Sequence, residues 1–191
     1  MKKALIVIAV IAAILIVLAV GTGKWLMSSY NGLVTLNESV NGAWAQVDNV
    51  LKRRSDLIPN LVETVKGYAK HEQEVFANIA EARAALGGAK TVKDKISAAG
   101  TLDGALSRLL VVVENYPNLK ADANFKELQA ELVGTENRIA VERMRYNDIV
   151  KQYNLATRKF PEKFVASMFG FTQAEYYEMP EKDRAVPEVK F

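Results

Sequence analysis

Glu72 and Glu142 fall on the apolar seams of two helical segments, where a pair of inward-facing carboxylates could bind a cation or act as acid and base. The ordinary alternative sets such groups at a seam edge, paired with a base such as Lys70 or Arg143. Asn37 lies on another seam, and Asn147 and Asn154 share a stripe with Val133 and Ala140 at seven-residue spacing. Amides so placed either line a polar pocket or pair with one another and fix helix register. His71 is the lone histidine and sits in the charged run Lys70-His71-Glu72-Gln73-Glu74, which reads as surface, with proton sensing as its other use. One histidine and no cysteine exclude a site needing two imidazoles, a Cys-ligated zinc, a thiol nucleophile and a disulfide scaffold. A di-metal carboxylate centre in a helical bundle needs paired Glu-x-x-His motifs, and here Tyr68 occupies the place three before His71. No Gly-x-Ser-x-Gly, phosphate-binding loop or dinucleotide fingerprint occurs. The chain therefore reads as non-enzymatic, with no catalytic, cofactor-binding or metal-binding residue assigned.

The elements that must position these groups begin with a membrane segment. From Ala4 to Gly23 there are 20 residues without a charge, and a bilayer core of about 30 Å needs roughly that many in a helix. Its apolar side chains are Ala4, Leu5, Ile6, Val7, Ile8, Val10, Ile11, Ile14, Leu15, Ile16, Val17, Leu18 and Val20. The run is longer than the core of a cleaved secretory signal and continues through Trp25, Leu26 and Met27, so it reads as an uncleaved anchor. Lys2 and Lys3 precede it and Lys24 follows it; the positive-inside rule keeps the N-terminus in the cytoplasm and places the soluble domain outside. Removing those three lysines from the 25 basic residues leaves 22, equal to the 22 acidic ones, all of which lie beyond residue 28. The domain after the anchor is thus neutral, without the cationic footprint that nucleic-acid binding requires. Lys52-Arg53-Arg54, its one basic cluster, reads as a solvated helix end.

Beyond the anchor, apolar residues recur at alternating steps of three and four, the pattern of helices facing helices. The first seam is Leu33, Asn37, Val40, Trp44, Val47, Leu51; the second runs from Ile58 through Tyr68, Glu72 and Ile79 to Leu86. Asp56 as a cap and Pro59 in a first helical turn favour a hairpin near Ser55, although the seam keeps phase throughout, as a single bent helix would. Gly87-Gly88 stops the second helix, Thr91 with Asp94 starts the third, and Pro117 ends it. A fourth starts at Asn124 with Glu127 and closes at Pro161. The expected fold is all-α: an N-terminal transmembrane helix, then an antiparallel four-helix bundle with long helices. The expected organisation is an anchor over 1–27, the bundle over 28–160, and an aromatic C-terminal segment with a flexible tail over 161–191.

That C-terminal segment concentrates large apolar side chains: Phe160, Phe164, Met168, Phe169 and Phe171, then Tyr176 and Tyr177, and finally Val189 and Phe191. A short helix from Glu162 to Phe169 would put Phe164 and Met168 on one face. The segment either plugs an end of the bundle or docks on a partner or membrane surface, and these nine residues are the candidate docking set. Val189-Lys190-Phe191, with its free carboxylate, also has the pattern of a strand added to a sheet edge.

Several stretches together resemble the LemA family of bacterial membrane proteins. They are Tyr30-Asn31, Trp44 to Asp48, Arg53-Arg54, Asp56 to Val62, Ala82-Arg83, Tyr116 to Leu119, Leu128 to Leu132 and Thr135 to Ile139. Arg145-Tyr146-Asn147, Tyr153-Asn154, Phe160-Pro161 and Phe169-Gly170-Phe171 complete them. The resemblance covers nearly the whole chain. It implies a single N-terminal span in the bacterial cytoplasmic (inner) membrane and a helical soluble domain; it carries over no catalytic activity. By analogy alone it points to envelope proteases as protein partners, with self-association as the other choice. The functional expectation is a membrane-anchored interaction or scaffold module of the cell envelope, with no cofactor. The alternatives are a ligand- or metal-binding bundle and a self-assembling structural membrane protein.

Overall fold

A computed structural model describes residues 2–178, leaving out the side chains of Lys2, Ala4 and Val7. Every regular element among the described residues is an α-helix: α1 (Lys2–Tyr68), α2 (Gln73–Gly88), α3 (Val92–Val113), α4 (Pro117–Ala121), α5 (Ala123–Arg158) and α6 (Glu162–Phe169). The described residues form two compact units, 2–41 with 149–174 and 42–148 with 175–178.

α1 corrects the hairpin expected near Ser55. It passes through Pro59 and ends at Tyr68, so the turn lies at residues 69–72. Pro59 has no N–H, which deprives the Ser55 carbonyl one turn earlier of its helical donor. Arg83 on α2 supplies the missing donor, its Nε donating to the Ser55 carbonyl at 3.0 Å. The seam holds phase from Leu33 to Val65 because the helix never stops, and Ile58, Leu61 and Val65 beside the proline are buried.

The second unit is built around that part of α1. Val47, Leu51, Ile58 and Leu61 are buried along with Phe76, Ile79 and Leu86 of α2, Leu102, Leu106 and Leu109 of α3, and Phe125 and Tyr146 of α5. Each fully buried aliphatic side chain contributes roughly 1.5–3 kcal/mol relative to an exposed one. Thr91 caps α3, its hydroxyl oxygen accepting from the Asp94 N–H at 3.0 Å. At α5 the cap is Asp122 and not Asn124: its carboxylate accepts from the Phe125 N–H at 2.9 Å. α3 is long and apolar enough to cross a membrane. Its buried face and its ion-paired Lys95 and Asp103 give it the character of a core helix instead.

The first unit packs α6 on α1. Leu33 is buried with Val165 and Ala166, and Leu26, Ala156 and Phe171 cover the cluster. α6 has the bounds its flanking residues dictate: Pro161 precedes it, and Gly170 ends it in a left-handed conformation, φ 76°, that glycine adopts without a Cβ penalty.

Candidate functional site

α1 carries the apolar run in a helix long enough to cross a membrane. Leu5, Ile6, Ile8, Val10, Ile11, Ile14, Leu15, Ile16, Val17, Leu18 and Val20 are all exposed, as a lipid-facing surface requires. The side chains of Ala4 and Val7 lie outside the described set. Lys24 and Trp25 follow the run and are exposed, the residue types that gather at a membrane–water boundary.

The aromatic segment divides by burial. Phe160 is 80% exposed, Phe164 66% and Met168 60%, and Phe169 and Tyr176 are also exposed. Phe171 is half-buried against the Leu33 cluster and Tyr30. Tyr177 is buried, its ring near Trp44 and beneath the Arg143 guanidinium. It belongs to the fold of the second unit and is not available as the docking residue it was expected to be. Val189 and Phe191 lie outside the described residues, as does the strand pattern they carry.

Asn147 and Asn154 do something the sequence did not suggest. Both bond backbone peptide groups, not another side-chain amide. In the first unit Asn154 donates from Nδ2 to the Ala174 carbonyl at 2.9 Å and accepts from the Ala174 N–H at 2.8 Å. In the second unit Asn147 holds Tyr177 in the same two-bond manner, at 3.0 and 2.8 Å. Tyr146 adds a hydroxyl bond to the Glu175 carbonyl at 2.8 Å. A side-chain amide offers a donor and an acceptor side by side, so it pairs with a peptide group as a neighbouring strand would. The segment after α6 has no helical bonds of its own, and these side chains satisfy its backbone.

The ionisable groups are paired across helices. Arg54 is 11% exposed and bridges Asp103 of α3, at 2.8 Å, and Glu136 of α5. Arg53 meets Glu131 at 2.8 Å, and Lys95 meets Asp48. The basic cluster lies within α1 and not at a helix end, with Lys52 and Arg53 exposed; of its three members only Lys52 stays local, pairing with Asp56 one turn on. Nothing in the sequence alone placed Asp103 or Glu136 opposite Arg54. Glu142 pairs with Arg145, not Arg143, and Glu72 accepts from the Tyr116 hydroxyl at 3.1 Å. That bond to a carboxylate holds the Tyr116 phenol above its ordinary value, with burial adding to it. Among the described residues no three metal-ligating side chains cluster. Two open grooves have volumes of about 410 Å³, one lined by Arg54, Leu106, Leu110 and Val133, another beside Gly100 and Gly104.

The model of the LemA family matches residues 43–191. Magnetosome protein MamQ 2 of Paramagnetospirillum magneticum is 28% identical over 182 residues, covering 80% of this chain and 66% of that protein. Magnetosome protein MamQ of Magnetospirillum gryphiswaldense is 27% identical over 188 residues, 84% of this chain and 69% of that protein. Protein LemA of Metamycoplasma hominis is 22% identical over 155 residues, covering 81% and 71%. The chain thus spans about two thirds of the length of the MamQ relatives. With a family match running from just before Trp44 to the last residue, the chain belongs to the LemA family.

Proposed function

We propose that this chain is a non-enzymatic, single-pass protein of the bacterial cytoplasmic membrane that serves as an interaction or scaffold module in the cell envelope. The observation that carries this reading is α1 itself. The uncharged run and the buried Leu33 belong to one helix without a break, so the anchor and its folded domain are a single element. In this reading α2, α3, α5 and the later part of α1 form an antiparallel four-helix bundle on the extracytoplasmic side. Support comes from contacts in which numbers rise on α1 as they fall along α5 to its cap: Trp44 with Tyr146, Arg53 with Glu131, and Tyr68 with Asp122. Its partners are other envelope proteins, proteases among them, or further copies of the chain. Leu110 and Val111 of α3 and Val133 of α5 are apolar and exposed, and they are where such a partner would sit.

A photo-crosslinking residue placed at Val111 or Val133 of the full chain in living cells tests this. The expected result is a discrete adduct at one of them, identified by mass spectrometry as an envelope protein or a second copy. No adduct at either position, with a strict monomer in native mass spectra of the detergent-solubilised protein, would sink the interaction reading.

A further inference from the structure

α6 meets α1 just past the end of the apolar run. The Tyr30 ring lies tilted against Phe169, centroids 4.7 Å apart, and 5.8 Å from Phe171, while Leu33 packs on Val165 and Ala166. Tyr30 follows Gly23 by seven residues, so on a continuous helix the contact lies roughly 10 Å beyond the uncharged run. The headgroup layer on each side of a bilayer is on the order of 5–8 Å thick, and a helix with its side chains is about 10–12 Å wide. A helix docked at Tyr30 therefore reaches into that layer.

The faces of α6 match such a location. Val165, Ala166 and Phe169 are turned to α1. Phe164 and Met168, four residues apart, continue a stripe from Phe160 on another side, and all three are more than half exposed. Arg158, Lys159 and Lys163 flank the stripe and are exposed; Glu162 is the one acid between Arg158 and Phe171. An apolar stripe with basic neighbours is the composition of a helix lying in a membrane interface, with cations toward anionic headgroups.

We propose that α6 is a second membrane contact: Phe160, Phe164 and Met168 enter the headgroup–acyl boundary of the bilayer that α1 spans. The occupant of this stripe is lipid, because the bilayer is the apolar phase that α1 itself brings within reach. The inference rests on the anchor reading. Two contacts on one bilayer would fix the rotation of α1 about its axis, which a single helix leaves free.

The full chain has no cysteine, so Ile14→Cys, Phe164→Cys and Val111→Cys each provide one thiol for a polarity-sensitive fluorophore. Each labelled protein is reconstituted in phosphatidylcholine–phosphatidylglycerol vesicles with and without acyl-brominated lipid, with iodide added to both sides. The expected result is that the probes at Ile14 and Phe164 are quenched by brominated lipid several-fold more than the one at Val111, and that Phe164 resists iodide. A Phe164 probe open to iodide and untouched by brominated lipid, with Ile14 quenched, overturns the second contact and spares the anchor. A Phe164 probe shielded from both quenchers overturns it in favour of a protein occupant. An Ile14 probe untouched by brominated lipid overturns the anchor reading, and this inference with it.

Discussion

Pro59 is tolerated inside α1 because Arg83 reaches the carbonyl that the proline leaves without a donor. The two residues are energetically one feature. Arg83→Ala should cost about 1 kcal/mol of stability, the net worth of a hydrogen bond with water able to replace part of it. In a Pro59→Ala background the helix supplies its own donor to Ser55, and the same arginine substitution should be nearly neutral. Urea unfolding of the four proteins checks this, and additive effects would show that Arg83 does not compensate for Pro59. Asp122 is a second local device. The Phe125 N–H, and then the Tyr68 hydroxyl, hold its carboxyl below the ordinary carboxylate value. A carboxyl depressed in the folded state stabilises above its unfolded value, about 3.9, and that contribution is lost as pH falls through the lower folded value. Asp122→Asn should therefore lower the Tm at pH 7 and change it less in acid, so that the two melting curves converge as pH falls through the depressed folded value. A difference in Tm that stays constant into acid would remove the charge from the account.

At the scale of elements, the extended segment after α6 owes its place to side chains of α5. Asn154 grips Ala174, and Asn147 grips Tyr177. Either Asn→Ala change removes two hydrogen bonds and should destabilise by about 1–2 kcal/mol. Asn147→Asp should not rescue, because a carboxylate oxygen would then face the Tyr177 carbonyl. Hydrogen exchange reads the effect site by site: the Tyr177 amide should lose protection in Asn147→Ala and the Ala174 amide in Asn154→Ala. Protection retained at both would mean that Tyr146 and the buried Tyr177 ring hold the segment without them. Local signals made much of this layout legible. Pro161 and Gly170 bracket α6, Thr91 starts α3, and Gly87-Gly88 stops α2. The turn at residues 69–72 was not legible, because Ala69-Lys70-His71-Glu72 has no proline or glycine while Pro59 marks a turn that does not occur. What overrides Pro59 is a hydrogen bond from another helix, and no window of sequence around Ser55 contains it. The amide grips were hidden for the same reason: seven-residue spacing speaks of helix partners, and the partner here is backbone without a period of its own.

At the scale of the whole molecule, the charges confine themselves to the membrane question. The three lysines around the apolar run equal the entire formal excess of +3, and the basic residues that flank the run directly are Lys2 and Lys3 against Lys24. The positive-inside rule then favours a cytoplasmic N-terminus, with the rest of the chain across the membrane. A neutral domain neither opposes nor assists that transfer. Lys70 lies exposed in the turn at residues 69–72, and the chain has no thiol of its own, so Lys70→Cys reports the side of the membrane directly. In cells permeabilised only at any outer membrane, a membrane-impermeant maleimide should label Cys at this position without lysis. That outcome restricts partners at Leu110, Val111 and Val133 to proteins of the envelope, and it puts the basic residues around α6 against the outer leaflet. Labelling only after lysis would reverse the orientation. The exposed apolar residues would then meet cytoplasmic proteins, and Arg158, Lys159 and Lys163 would face the inner leaflet, where anionic lipid and a positive-inside bias act in the same direction. Arg158, Lys159 and Lys163 would in that case outnumber Lys2 and Lys3 in setting the topology, and Lys159→Gln with Lys163→Gln should shift the labelled fraction toward the outside.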